Sequence, residues 1–176
     1  MQQTTYLLFA SFLLLILLIS ACGAKKAQKS QVQNENQQSI ENPKTKTQAQ
    51  IDDEKIVQYL SDNKIKAEKT SSGLYYTIAE TGEGASPTLS SAVTVHYKGT
   101  LLNGAEFDSS YKRGIPATFP LGGVIKGWQE GIPLLSKGGK GTLYIPSGLA
   151  YGPRSMGAKL PANSVLIFDV ELIDIK

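Results

Sequence analysis

Few side chains in this chain of 176 residues could carry reactive chemistry, and those few stand apart from one another. There is one cysteine, Cys22, and one histidine, His96. A single thiol cannot form an internal disulfide or a thiolate zinc site, and Cys22 ends an apolar run that lies outside any fold. His96 falls between Val95 and Tyr97 in an alternating stretch, so it points away from them, outward, as a solvated strand residue. Asp108, read from its neighbours, could pair with Arg113 or cap the turn that follows. What the chain does offer is rings: Tyr97, Phe107, Phe119, Tyr151, Phe168 and its single tryptophan, Trp128. Converging from separate segments, they would build an aromatic-walled pocket with very few polar groups. Such a pocket binds and desolvates; with no nucleophile, proton relay or ligand cluster beside it, neither a metal nor a cofactor is expected.

Positioning these rings requires strands and one buried helix. Leu74–Ile78, Ala92–Leu101, Glu106–Asp108, a short run around Thr118–Pro120, Lys140–Pro146 and Val165–Ile175 read as strands. Asn103-Gly104 is a hairpin signal between the second and third of them. Ser109–Pro116 reads as a loop, and Ser147–Ser164 as another of about 18 residues, long enough to suggest function. Val124, Ile125, Trp128, Ile132 and Leu135 fall at helical spacing on one face. That predicts a short buried helix closed by Gly138-Gly139, with a kink or irregular last turn at Pro133 because proline lacks the amide donor. Gly127 and Gly131 would let the helix approach a sheet closely. The fold class is therefore α+β, an antiparallel sheet curved around one short central helix.

The N-terminal part differs in kind. Leu7–Ile19 is apolar apart from Ser11, too short for a comfortable membrane span of about 20 residues but suited to a secretory signal. Leu18-Ile19-Ser20-Ala21-Cys22 resembles a bacterial lipobox, which makes 1–21 a lipoprotein signal peptide and Cys22 the lipid attachment site. The first six residues depart from such a signal in lacking Lys and Arg. Residues 22–50, rich in Gln, Asn, Lys, Ser and Thr, read as a disordered tether, and 51–71 as a short lead-in helix (Ile51–Lys66) and linker, with Asp52, Asp53 and Glu54 favouring the positive helix start. The net charge of +3 arises before residue 51; from there on basic and acidic residues balance, which argues against a nucleic-acid face.

Five motifs then occur in order: Val95-His96-Tyr97-Lys98-Gly99, Glu106-Phe107-Asp108-Ser109-Ser110, Val124-Ile125 with Gly127-Trp128 and Glu130-Gly131, Ala150-Tyr151-Gly152, and Leu166-Ile167-Phe168-Asp169-Val170-Glu171-Leu172. Together they resemble the FK506-binding-protein family of peptidyl-prolyl isomerases over residues 72–176. The resemblance implies an antiparallel half-barrel sheet wrapped around the central helix. The Trp128 indole would be the pocket floor, and Tyr97, Phe107, Val124, Ile125 and Phe168 its walls, with Phe119 beside them. The loop bearing Tyr151 and Leu160 would be a flap. It further implies Tyr97, Phe107, Asp108, Tyr151 and Phe168 as catalytic residues, and Phe119, Val124, Ile125, Trp128 and Leu160 as substrate-binding. Asp108 and Tyr151 would be polar ligand contacts, and the Ile125 amide a donor to a ligand carbonyl. The sequence departs from the best-known members at Ala117, where they carry a pocket-edge phenylalanine, and at a flap holding Arg154, Met156 and Lys159.

The expected activity is cis–trans isomerisation of X–Pro bonds in exported proteins, by a monomer lipid-anchored in the bacterial cell envelope (the outer membrane or periplasm if there are two membranes). Proline-containing unfolded chains would be its partners, FK506- or rapamycin-like macrolides its ligands, and nucleic acid neither. A catalytically weak proline-binding holdase is the alternative. Rotation about the amide costs about 18–20 kcal/mol, and the twisted transition state is less polar than the planar amide. A dry aromatic pocket would favour the twisted form.

Overall fold

The computed structural model describes residues 45–176. Cys22, the apolar run before it and the tether up to residue 44 lie outside them. Among the described residues no helix is long and apolar enough to cross a membrane.

Helix α1 spans Gln48–Asp62, beginning and ending earlier than its apolar pattern suggests. Its start is set by a capping box: the Thr47 side chain accepts from the Gln50 amide, and the Gln50 side chain accepts from the Thr47 amide. This reciprocal pairing satisfies two donors that a helix start otherwise leaves open. Residues 47–50 thus belong to the folded part and not to the expected tether. Asp52, Asp53 and Glu54 sit beyond the first turn, and their role is tertiary. Asp52 is 1% exposed, where it accepts from the Ser147 amide (2.8 Å) and hydroxyl (2.5 Å) and from the Gln48 amide group (2.7 Å). Asp53 holds Lys69 and the Tyr75 hydroxyl.

Seven strands form one sheet: β1 Glu68–Lys69, β2 Tyr75–Glu80, β3 Ala92–Leu101, β4 Glu106–Ser109, β5 Ala117–Pro120, β6 Lys140–Ile145 and β7 Leu166–Ile175. Their order is β1-β2-β6-β7-β3-β4, with β5 also on β3, and every pairing is antiparallel. Long β3 meets β7 along one side. Its other side pairs first with β5 and then with β4. The pair β1–β2 was hidden from the sequence because β1 is only two residues long.

Alternation along the strands gives the sheet two apolar faces. Leu143, Ile145, Leu166 and Phe168 pack on one face with Val93, Val95, Tyr97, Trp128, Ile132 and Leu135. Tyr144 and Ile167, the residues between, pack on the other face with Tyr75 and with Ile56 and Leu60 of α1. The expected sheet around one central helix is present, and α1 in addition covers its second face. The helix at the first face, α3, is Lys126–Gly131. A Cβ at Gly127 would come within 2.5 Å of Ile145, and one at Gly131 within 2.6 Å of Leu143, so both glycines allow the close approach expected of them. Pro133 falls in a 3-10 turn, Ile132–Leu134, that ends the helical stretch. Gly138 and Gly139 lie beyond it, leading into β6, and do not close the helix. The loop expected at 109–116 contains a one-turn helix α2, Ser110–Arg113, capped by the Ser109 side chain.

Candidate active site

Four rings meet at the first face of the sheet. Tyr97 comes from β3, Phe119 from β5, Trp128 from α3 and Phe168 from β7. Trp128 stands edge-on to the other three, with centroids 5.1 Å from Tyr97, 5.1 Å from Phe168 and 5.7 Å from Phe119. Phe107 of β4 extends the group by an edge-on contact with Phe168 at 5.4 Å. Edge-to-face contacts of this kind fix ring orientation as well as burying area. Tyr97, Trp128, Phe168 and Leu160 are buried, while Phe107, Phe119, Val124, Ile125 and Tyr151 pack against them half-buried. The result is a closed floor with a partly open wall. Gly99 makes this possible: a Cβ there would lie 2.6 Å from the Phe107 ring and 2.9 Å from that of Phe168.

The polar edge is one network. Asp108 accepts from the Tyr97 hydroxyl and from Arg113, both at 2.5 Å, and from the Ser109 amide at 2.8 Å. Arg113 also donates to the Tyr97 hydroxyl at 2.8 Å. Asp108 therefore pairs with Arg113 and borders the rings at once. Burial by itself would raise its carboxyl, but hydrogen bonds from Tyr97 and Arg113, the arginine charge and the Ser109 amide outweigh this and hold it below the usual carboxylate range. Burial, followed by the hydrogen bond to Asp108, pushes the Tyr97 phenol up. At neutral pH the pair is thus a carboxylate and a neutral hydroxyl, suited to orientation and not to proton transfer.

Val124 and Ile125 are not helical, contrary to their spacing. Both are extended, and Ile125 is the cap of α3, its carbonyl accepting from the Trp128 and Gln129 amides. The Gln129 side chain reaches back to the carbonyls of Gly122 (3.1 Å) and Val124 (2.7 Å) and so holds the bend. The Ile125 amide has no acceptor among the described residues, nor has the buried indole N–H of Trp128. An orphaned buried donor costs about 1–3 kcal/mol, which a bound acceptor would recover. The parts played by Gln129 and Gly99 escaped the sequence reading, although Gly99 ends one of its motifs; only the i, i−5 reach of the glutamine and the ring contacts at the glycine reveal them.

His96 is also more involved than expected. Its ring stacks on Tyr111 at 4.6 Å, and its Nδ1 lies 3.0 Å from the Ser110 hydroxyl. Ser110, fully buried, accepts from the Tyr97 amide and donates to the Tyr97 carbonyl. His96 does face away from the rings, as alternation requires, but it braces α2 against β3 instead of standing in solvent.

Residues 84–173 match the family model of the FKBP-type peptidyl-prolyl cis-trans isomerases. The chain belongs to that family. It is 54% identical over 114 residues to the FKBP-type peptidyl-prolyl cis-trans isomerase FkpA of Escherichia coli (strain K12), a match covering 64% of this chain and 42% of the relative. It is 46% identical over 143 residues to the probable FkpA of Neisseria meningitidis serogroup B, covering 80% and 53%. The chain thus spans about half the length of these curated relatives. Among solved structures, AtFKBP13 superposes with a TM-score of 0.59 at 41% identity, over 63% of this chain and 99% of that one. The antiparallel sheet around α3 is the fold of the family, as the motifs implied.

Proposed function

We propose that the ring cluster is the catalytic pocket of a peptidyl-prolyl cis-trans isomerase acting on proline-containing unfolded or folding proteins. The observation that carries this reading is the pairing of an apolar aromatic floor with two donors that have no partner among the described residues, the Ile125 amide and the Trp128 indole. The proline ring would rest on Trp128, walled by Phe107, Phe119, Val124 and Phe168, with Tyr151 and Leu160 over it. The Ile125 amide would hold a substrate carbonyl. Tyr97 and Asp108, locked by Arg113, would orient the substrate at the polar edge. As the amide twists, its conjugation and charge separation fall, and the dry rings favour that state over the planar one. No group gains or loses a proton, so neither a metal nor a cofactor is required. FK506- or rapamycin-like macrolides would occupy the same floor, with Ala117 leaving more room at one edge. The proline-binding holdase remains the second reading, since the same pocket would bind proline whether or not it turns the bond.

Two-dimensional NMR exchange on an X–Pro peptide tests the enzyme. The full chain in non-ionic detergent should accelerate exchange, and Phe107→Ala or Asp108→Leu should slow it. Exchange at the background rate would leave only the holdase. Because Asp108 is held below its usual pKa, the carboxylate's contribution to stability is present above about pH 4 and lost as pH falls through the depressed folded value. Activity should therefore decline on the acid side only below about pH 4; a half-point near pH 6 would require a different group.

For the N-terminal part we propose lipidation at Cys22 after cleavage of 1–21, with a tether then reaching the helix cap at Thr47. A monomer anchored in the bacterial envelope would thereby meet chains as they emerge after export. In the native host, labelling with an alkyne fatty acid should mark the protein and disappear in Cys22→Ser. Equal labelling of both forms would refute the anchor.

A further inference from the structure

Charge is unevenly distributed around the rings. At the β4–α2 edge each acid is taken by a base: Glu106 by Lys112 at 2.9 Å and Asp108 by Arg113. Three further cations border the site and form no ion pair with the described residues: Lys126, Arg154 and Lys159. All three are exposed. Lys126 directly follows Ile125, and among the described residues its ammonium hydrogen-bonds the Gln129 side-chain oxygen alone, at 3.2 Å. Lys159 directly precedes Leu160, which is buried among the rings, and the Arg154 amide bonds the Tyr151 carbonyl at 3.3 Å. The Tyr151–Leu160 loop thus returns to the pocket at both ends and carries two cations and no acid between them. Elsewhere Lys46, Lys69 and Lys137 are exposed and matched by Glu54, Asp53 and Asp174, while Lys55, Lys64, Lys66, Lys98 and Lys176 are exposed and form no ion pair with the described residues. What sets Lys126, Arg154 and Lys159 apart is their place: each adjoins a residue or loop of the site, where the acids of the β4–α2 edge are already taken by Lys112 and Arg113.

We propose that Lys126, Arg154 and Lys159 select prolines flanked by acidic residues. This rests on the isomerase reading, since it names which X–Pro segments the same pocket prefers. Arg154 offers a planar fork that matches a carboxylate in two hydrogen bonds, whereas the lysines act as mobile point charges. An apolar floor with a cationic mouth holds a proline ring below and attracts carboxylates on the chain leaving it on either side. The pairs are solvent-exposed, so each contributes little, and the discrimination comes from their sum. Charges separated by more than about 8 Å are screened at 0.15 M salt, so the preference should weaken as salt is added.

The test compares three pentapeptides carrying Glu, Ala or Lys on both sides of one proline, with the full chain in non-ionic detergent and catalysed exchange measured by NMR. At low salt the Glu peptide should exceed the Lys peptide in kcat/KM by roughly three- to tenfold, the size expected of a few weak, exposed ion pairs acting together. At 1 M salt the ratio should approach one. The triple charge reversal Lys126→Glu, Arg154→Glu, Lys159→Glu should invert the order of the Glu and Lys peptides. Equal rates for the three peptides at low salt, with catalysis of the Ala peptide intact, would overturn the preference while leaving the isomerase standing. A ratio unaffected by salt, or an order unchanged by the reversal, would equally overturn it. Absence of catalysis with every peptide would instead remove the isomerase reading beneath it.

Discussion

Gly99→Val should cost the protein most of its catalysis while leaving it folded at low temperature. The added Cβ would sit 2.6 Å from Phe107 and 2.9 Å from Phe168, inside the contact distance of any carbon pair. The backbone cannot retreat, because Gly99 is in register with Asp108 of β4 on one side and Phe168 of β7 on the other. The rings must yield, and they are the wall of the proposed pocket. Overpacking of this kind costs about 1–3 kcal/mol of stability. Any displacement of Phe107 also shifts β4 and with it the carboxylate of Asp108. Peptide exchange should show kcat/KM reduced at least tenfold, which corresponds to about 1.4 kcal/mol of transition-state stabilisation. Thermal unfolding should show a lowered but cooperative transition. Undiminished exchange in a folded variant would mean that Phe107 and Phe168 do not contact the substrate.

Asp52→Ala should be the most destabilising change away from the pocket. The carboxylate is 1% exposed and gathers the Ser147 amide and hydroxyl from a point 95 residues along the chain. Alanine would strand both donors in the interior at about 1–3 kcal/mol each. It would also free the 3-10 turn Ser147–Leu149, from which the loop bearing Tyr151 and Leu160 starts. A loss of about 3 kcal/mol is expected, read as a fall of roughly 10 °C in Tm for a domain of this size. Asp52→Asn keeps an acceptor oxygen and should lose less. A midpoint within a degree of the parent for Asp52→Ala would show that α1 is not tied to the domain by this residue. A helix that reads as a lead-in to the domain thus holds the turn from which the loop bearing Tyr151 and Leu160 starts.

Both predictions concern residues whose importance could not be seen locally. The sequence did identify the material of the site. Tyr97 and His96 separate by simple alternation along β3, and Tyr97 is buried while His96 is not. Pro133 ends the helical stretch because it cannot donate, and Gly127 and Gly131 announce a close approach that Ile145 and Leu143 then make. Each of these follows from a few neighbouring residues. The spacing of Val124 and Ile125 misled for the same reason. A 3.6-residue period is a statement about faces, and two extended residues before a short helix can place their side chains on the same face as a helical turn would.

What the sequence alone determined is the chemical character of this protein: a β-rich domain around one tryptophan, aromatic where an enzyme is usually ionisable, with an acid at the edge and a distinct polar segment ahead of it. Those are properties of residue type and short-range pattern. Only the tertiary structure decided that α1 belongs to the domain, that Asp108 is clasped by Tyr97 and Arg113 together, that Gln129 holds the bend presenting the Ile125 amide, and that the rings meet edge to face on Trp128. The physical reason is that each depends on which distant segments the sheet brings side by side. The β3–β7 pairing joins residues 65 to 82 positions apart, and no local propensity records which carboxylate or ring will be found across that gap.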